Sequence, residues 1–221
     1  IRVVSPASAR AGVPFRITLL LLDAYGNPIK NLQERSDGVV LSASGFGMLS
    51  PTRVSAGAFQ EGSADITVSY NGTGDIEIRA KEPRAAVSGK TAAKVRVGAG
   101  DPVKFQLTAP PAALVDEPFD VGITVLDQYG NVVLDYDAIG TVIFLTTDGT
   151  QKPTPTEVLA KAFKQGVAFV KIFYSKAEHI TLTASEPGTA RIGTSGTVEV
   201  QAGRARSIEL TAPGAADAGV A

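Results

Sequence analysis

The chain carries one pattern twice. Pro14-Phe15, Asp23, Tyr25-Gly26-Asn27, Phe59, Tyr70 and Glu82-Pro83 return, each 104 positions later, as Pro118-Phe119, Asp127, Tyr129-Gly130-Asn131, Phe163, Tyr174 and Glu186-Pro187. A constant offset leaves little freedom: whatever residues 1–99 fold into, residues 100–203 must fold into as well. A period of roughly a hundred residues is the size of a whole β-sandwich, well above the roughly 20–50 residues of a solenoid repeat. Two domains follow, with boundaries at 1–99 and 100–203. In the remainder, 204–221, Ser207-Ile208-Glu209-Leu210-Thr211-Ala212-Pro213 echoes Lys104-Phe105-Gln106-Leu107-Thr108-Ala109-Pro110, so it reads as the first strand of a truncated third repeat. The start at Ile1, without a methionine or a charged-then-apolar leader, reads as a segment of a longer array.

The period within each unit is two. Phe15, Ile17, Leu19 and Leu21 alternate with Arg16, Thr18, Leu20 and Leu22, and Phe119, Val121, Ile123 and Val125 repeat the alternation. Such spacing puts one set of side chains on each face of a strand. Similar runs lie at 1–4, 39–42, 64–70, 75–80 and 93–97, with counterparts at 104–107, 141–146, 168–174, 179–184 and 197–200. A seventh strand is expected within 51–59 and 154–163. Apolar residues never recur at three and four over a long stretch, and 23 glycines with 13 prolines punctuate the chain, so helix is limited to a turn or two. The expected fold is all-β: two tandem sandwiches of about seven strands each. Val97-Gly98-Ala99-Gly100-Asp101-Pro102 joins them, a linker too short to let the units swing freely.

Composition removes several classes of function. Twenty-one basic against 22 acidic residues, interspersed, offer no electrostatic track for nucleic acid. With no cysteine there is no disulfide, thiolate metal site or thiol nucleophile. The longest apolar run, Leu19 to Leu22, falls far short of the roughly 18 residues of a membrane-spanning helix. His179 is the only histidine and its counterpart is Asp75, so it reads as a surface residue and not as part of a repeated metal site. No Gly-x-Ser-x-Gly elbow or paired-carboxylate cleft is evident, and no catalytic residue is assigned.

Ala11-Gly12-Val13-Pro14-Phe15-Arg16-Ile17, followed by Leu22-Asp23-Ala24-Tyr25-Gly26-Asn27-Pro28 and a Gly-Val-Val or Gly-Thr-Val strand at 38 and 140, resembles the bacterial immunoglobulin-like repeats of surface and secreted proteins, in the style of invasin and intimin stalks. The resemblance covers both units. It implies Greek-key sandwiches, export to the extracellular space or cell surface, and a spacer, adhesive or lattice role without shared catalytic residues.

Three groups of residues stand out as candidate sites. Asp23 with Asn27, and Asp127 with Asn131, place oxygens four apart in a loop, as a calcium site would, yet a tight turn uses the same residues for its own hydrogen bonds. The turn is the first reading and calcium the alternative; no other cofactor is implied. Tyr25 and Tyr129 read as packing anchors over these turns. Asn71-Gly72-Thr73 fits a glycosylation signal but reads as a hairpin turn. Finally, if Ala168, Val170 and Ile172 point inward, then Val167, Phe169 and Phe173 point out where unit one has Ser63, Asp65 and Ser69, and Leu126 on the neighbouring strand extends the patch. This apolar face is the candidate interface for self-assembly.

The functional expectation is a structural segment, whether stalk, fibre or surface-layer spacer, of an exported bacterial surface protein, with neighbouring repeats of the same parent chain as first partners. The alternatives are an adhesive module for a host protein or glycan, and accessory domains of a large extracellular enzyme.

Overall fold

The computed structural model describes residues 1–30, 36–84, 87–203, 205 and 207–211. Among them are two all-β units. Unit one contains β1 (Arg2–Val4), β2 (Ser8–Arg10), β3 (Phe15–Leu20), β4 (Gly38–Ala43), β5 (Leu49–Ser50), β6 (Arg53–Ser55), β7 (Ser63–Tyr70), β8 (Gly74–Ile76), β9 (Ile78–Glu82), β10 (Val87–Lys90) and β11 (Val95–Gly98). Unit two contains β12 (Pro102–Thr108), β13 (Ala112–Leu114), β14 (Phe119–Asp127), α1 (Tyr136–Ile139), β15 (Val142–Thr147), β16 (Glu157–Leu159), β17 (Val167–Ile172), β18 (Glu178–Ser185) and β19 (Ile192–Gln201).

In unit two one layer has the order β12-β14-β17 and the other β13-β19-β18-β15-β16. The connections from β14 to β15, β16 to β17 and β17 to β18 all cross between layers, which makes the sandwich a Greek key of immunoglobulin type. Unit one repeats the plan as β1-β3-β7-β5 facing β10-β9-β4-β6 and β2-β11-β8. The opening strand of each unit is split: β12 pairs antiparallel with β14, then the chain changes layer and β13 runs parallel to β19. Sequence periodicity missed β2, β10 and β13, because short edge strands of this kind bury too few side chains to show an alternation. The expected seventh strand is short, β6 or β16, and each runs into a single 3-10 turn.

Each unit has its own core. Ile17, Leu19, Leu41, Tyr70, Ile76 and Ile78 fill the first; Val121, Ile123, Ile143, Phe163, Tyr174 and Ile180 fill the second. Each such fully buried side chain stabilises its unit by roughly 1.5–3 kcal/mol over leaving it in water. Tyr136, delivered by α1, packs edge-on to Phe105 and Phe163 with ring centroids 5.9 and 4.9 Å away.

Residues 207–211, expected to open a third repeat, belong to no strand, and Ile208 and Leu210 are exposed. Their counterparts in β12 are held by β14; among the described residues no such partner strand faces 207–211. The rest of that stretch, 204, 206 and 212–221 with Ala212 and Pro213, lies outside the described residues.

Candidate functional site

The repeated Asp-x-Tyr-Gly-Asn turn is built alike in both units. After β14 the chain reverses, with Asp127 N donating to Asn131 O at 2.9 Å and Gly130 taking a φ of 85°. Asp127 Oδ1 accepts from the amides of Tyr129 and Asn131, both at 2.9 Å, and Oδ2 accepts from Asn131 Nδ2 at 2.8 Å. In unit one Asp23 Oδ1 accepts from Tyr25 and Asn27 amides at 2.8 Å, and Oδ2 from Asn27 Nδ2 at 3.0 Å. One carboxylate thus satisfies most of its turn's orphan donors, the local reason for this residue pattern.

This geometry answers how the calcium candidates are used. The carboxylates of Asp23 and Asp127 accept from the turn itself, and Asn27 and Asn131 aim a donor at them, not an oxygen into a shared cage. Among the described residues no group of three or more His, Cys, Asp or Glu is placed to hold a metal ion.

The two turns differ in what lies against them. Asp127 is fully buried, and its Oδ2 takes a further bond from the linker amide of Gly100 at 2.8 Å. Burial pushes its carboxyl up, but the bonds from Asn131, Gly100 and Tyr129 outweigh it and hold the group below its ordinary value. Asn131 Nδ2 also donates to Asn71 O of unit one at 2.9 Å. Tyr129 lies across Gly12 of unit one, where φ is 76° and a Cβ would stand 2.3 Å from the Tyr129 ring. A side chain there would have to push the ring aside, and the positive φ itself favours glycine. Arg10 completes the contact, pairing with Asp101 at 2.9 Å and bonding Ala99 O. With Gly98 ending β11 and Pro102 starting β12, only residues 99–101 separate the two sheets.

The expectation that both tyrosines anchor their own turns needs correction. Tyr25 is 92% exposed, and Tyr129 packs across the junction instead. The turn engages the tyrosine's backbone amide, which leaves its ring free to serve something else. Asn71-Gly72-Thr73 is not the hairpin turn expected of it: it carries the chain from β7 to β8 in a different sheet, with the Asn71 carbonyl bonded to unit two and its side chain accepting from Met48 N at 2.6 Å.

The apolar face of unit two is partly as expected. Phe169 is 80% exposed, Phe173 is exposed and Val167 is half-buried. Leu126, counted in the patch from its outward parity, is in fact buried: the chain doubles back after Asp127 so that Val132 bridges Leu126. Phe169 faces Gly122 across the β14–β17 ladder, its ring 3.4 Å from where a Gly122 Cβ would be. The ring therefore shields backbone that glycine leaves bare. The matching position in unit one, Asp65, instead bonds Thr18 Oγ1 at 2.7 Å.

Sequence reading passed over a second repeated device, the buried carboxylate of the Glu-Pro motif. Glu186 accepts from Thr141 N at 2.8 Å, Thr141 Oγ1 at 2.9 Å and Arg191 at 2.5 Å, pinning the end of β18 to the entry of β15. Burial raises its carboxyl, but Arg191 and Thr141 together hold it below its ordinary value. Glu82 does the corresponding work with Ser36 Oγ at 2.5 Å. The signal was present in the repeat of Glu-Pro at a strand end; what hid it was that a lone carboxylate in sequence gives no sign of burial. Tyr70 and Tyr174 add another tie, their hydroxyls accepting from Gly47 N at 2.8 Å and Gln151 N at 3.0 Å. His179 is exposed.

No family model matches the chain, and no curated protein matches it. Among solved structures it is similar to the D00-D0 domain of intimin, at 14% identity over 90% of this chain and 98% of that one, with a TM-score of 0.47. It is also similar to InvD of Yersinia pseudotuberculosis, at 17% identity over 96% of this chain and 59% of that one, TM-score 0.40. A third is surface layer protein SbsC, domains 4-9, at 19% identity over 90% of this chain and 30% of that one, TM-score 0.29. The resemblance read from the repeated turn reappears here as similarity to intimin and invasin-type domains. Identities of 14–19% with TM-scores of 0.29–0.47 assign no role to this chain.

Proposed function

We propose that this chain is a rigid structural segment of an exported bacterial surface protein, in which successive sandwiches are locked pole to pole to hold some other part at a fixed distance. The observation that carries the reading is the junction. A three-residue linker, a buried Asp127 bonded to Gly100, a glycine lying under Tyr129 and the Asn131-to-Asn71 bond together oppose both bending and twisting. A flexible tether needs none of these. The role is mechanical: separate cores and antiparallel ladders resist extension, and the junction transmits orientation from unit to unit.

Small-angle X-ray scattering combined with light scattering on the purified chain tests this. A single elongated conformer is expected, unchanged by calcium. A distribution of interdomain angles like that of independently tumbling units overturns it. Lateral packing through Phe169 and Phe173 belongs to the same reading; Phe169→Ser is expected to remove any concentration-dependent association while leaving the unit folded.

A specific observation also favours an adhesive reading. Phe46 is fully exposed and Met48 is 75% exposed in the loop after β4, apolar side chains that a spacer does not need. Loss of cell or glycan binding on Phe46→Ser with unchanged scattering would move the function to this loop.

A further inference from the structure

The Asp23 turn of unit one is the same device as the Asp127 turn of unit two, with its outer half uncovered. Asp127 Oδ2 holds a linker amide, Asn131 Nδ2 reaches a carbonyl of the neighbouring unit, and Tyr129 lies on a neighbouring glycine. Asp23 makes the same three bonds within its turn, yet among the described residues no linker amide reaches its Oδ2. Tyr25 stands 92% exposed. Strand β1 begins beside this turn, since Arg2 pairs with Leu20, just as β12 begins beside the Asp127 turn. The two turns therefore occupy the same pole of their respective units.

Deepening the spacer reading, we infer that Asp23, Tyr25 and Asn27 form a docking face for the far pole of another immunoglobulin-like sandwich, one carrying glycine where unit one carries Gly12. That partner supplies three things: a positive-φ glycine for the Tyr25 ring, a turn carbonyl for Asn27 Nδ2 and a glycine-containing linker whose amide meets Asp23 Oδ2.

The fit of a glycine under the ring disfavours a second copy of this chain. Unit two has an equivalent far pole: Asp116 N donates to Tyr174 O and Val115 N to Gln201 O, as Gly12 N donates to Tyr70 O and Ala11 N to Gly98 O. At the Gly12 position, however, stands Asp116, with the same left-handed backbone at a φ of 59°. A Cβ at that point in the observed junction lies 2.3 Å from the tyrosine ring, inside any van der Waals contact. The pole with Gly12 takes the tyrosine turn with the ring in place, whereas at the pole with Asp116 the ring has to move aside.

The test is a three-unit chain with residues 1–104 placed ahead of Ile1, which reproduces the native linker spacing, and with isotope label confined to the leading copy by ligation. The readouts are amide exchange of the leading Gly100 and the scattering envelope. With Gly12 in the leading copy, that amide is expected to exchange about tenfold or more slowly than a free one, and the added unit to hold one orientation. Gly12→Asp in the leading copy is expected to abolish both effects while its core amides stay protected, because Asp116 shows the fold tolerates aspartate there. Free exchange at the leading Gly100, or indifference to Gly12→Asp, overturns the inference. Exchange of Gly100 in the unmodified chain separates the two readings. If that native amide is itself free, the rigid-spacer reading fails; if it is protected and only the new one is free, the docking face alone fails. Head-to-tail association of the unmodified chain in light scattering overturns the glycine requirement.

Discussion

The Tyr25 turn and the Tyr129 turn share the residues Asp-x-Tyr-Gly-Asn and the same internal hydrogen bonds, yet one is solvated and the other is the hinge pin between two domains. The difference teaches that local structure and tertiary role are separable here. Five residues suffice to close the turn, and what covers the outer face of the second one is Gly12 and Asn71 of unit one and Gly100 of the linker. The same divergence runs along the outer sheets, where Phe169 stands in place of a hydrogen-bonded Asp65. Duplication preserved the frame and freed the surfaces to differ.

The comparison can be sharpened by substitution, beginning with the buried carboxylates. Glu186→Ala leaves Arg191 and the Thr141 amide without their partner and is expected to cost unit two about 3–5 kcal/mol, read as a lower urea midpoint for that unit's transition. Unchanged stability would show that the Glu-Pro motif is ornamental. Asp127→Ala comes next, at about 2–3 kcal/mol, since it strands several turn donors and the linker amide. Asp23→Ala, in solvent, is expected to cost visibly less, and equal losses would erase the distinction between the turns. Tyr129→Ala is expected to loosen the junction by about 1–2 kcal/mol and broaden the scattering envelope, with Tyr25→Ala silent in both.

Acid provides a fourth comparison. Asp127 and Glu186 have carboxyls held below their ordinary values, so each contributes stability that is present above the unfolded value and lost as pH falls through the folded one. Glu178, which accepts from the Tyr174 hydroxyl and the Thr150 amide, is lowered from 4.5 to about 2 and acts in the same direction. Asp23 and Glu77 of unit one are lowered as well, so both units are expected to lose stability as the pH falls below the ordinary carboxylate range, as followed by amide signals of each unit. The smallest effect is reserved for Phe169→Ser, about 0.5 kcal/mol or less on folding, because the ring is mostly in water already. A large loss would place it in the core after all.

Most of the fold was legible in the chain, through a two-residue period and a 104-residue offset, because both follow directly from backbone geometry and gene-level repetition. The internal bonding of the turn was legible too, as Asp, Gly and Asn have few other reasons to recur together. Parity failed at Leu126, where a fold-back covers an outward side chain, and turn chemistry failed at Tyr25, expected as a packing anchor over its turn but exposed. The candidate site escaped sequence reading for one physical reason. Gly12, Asn71, Gly100 and Tyr129 carry no mark of their shared role until two separately folded poles meet. By itself the sequence determined that there would be two like sandwiches joined by a short linker, since alternation and turn chemistry act over a few residues. Only the tertiary structure decided which residues meet across the junction, because close packing brings together groups of two separately folded poles that lie far apart in the chain.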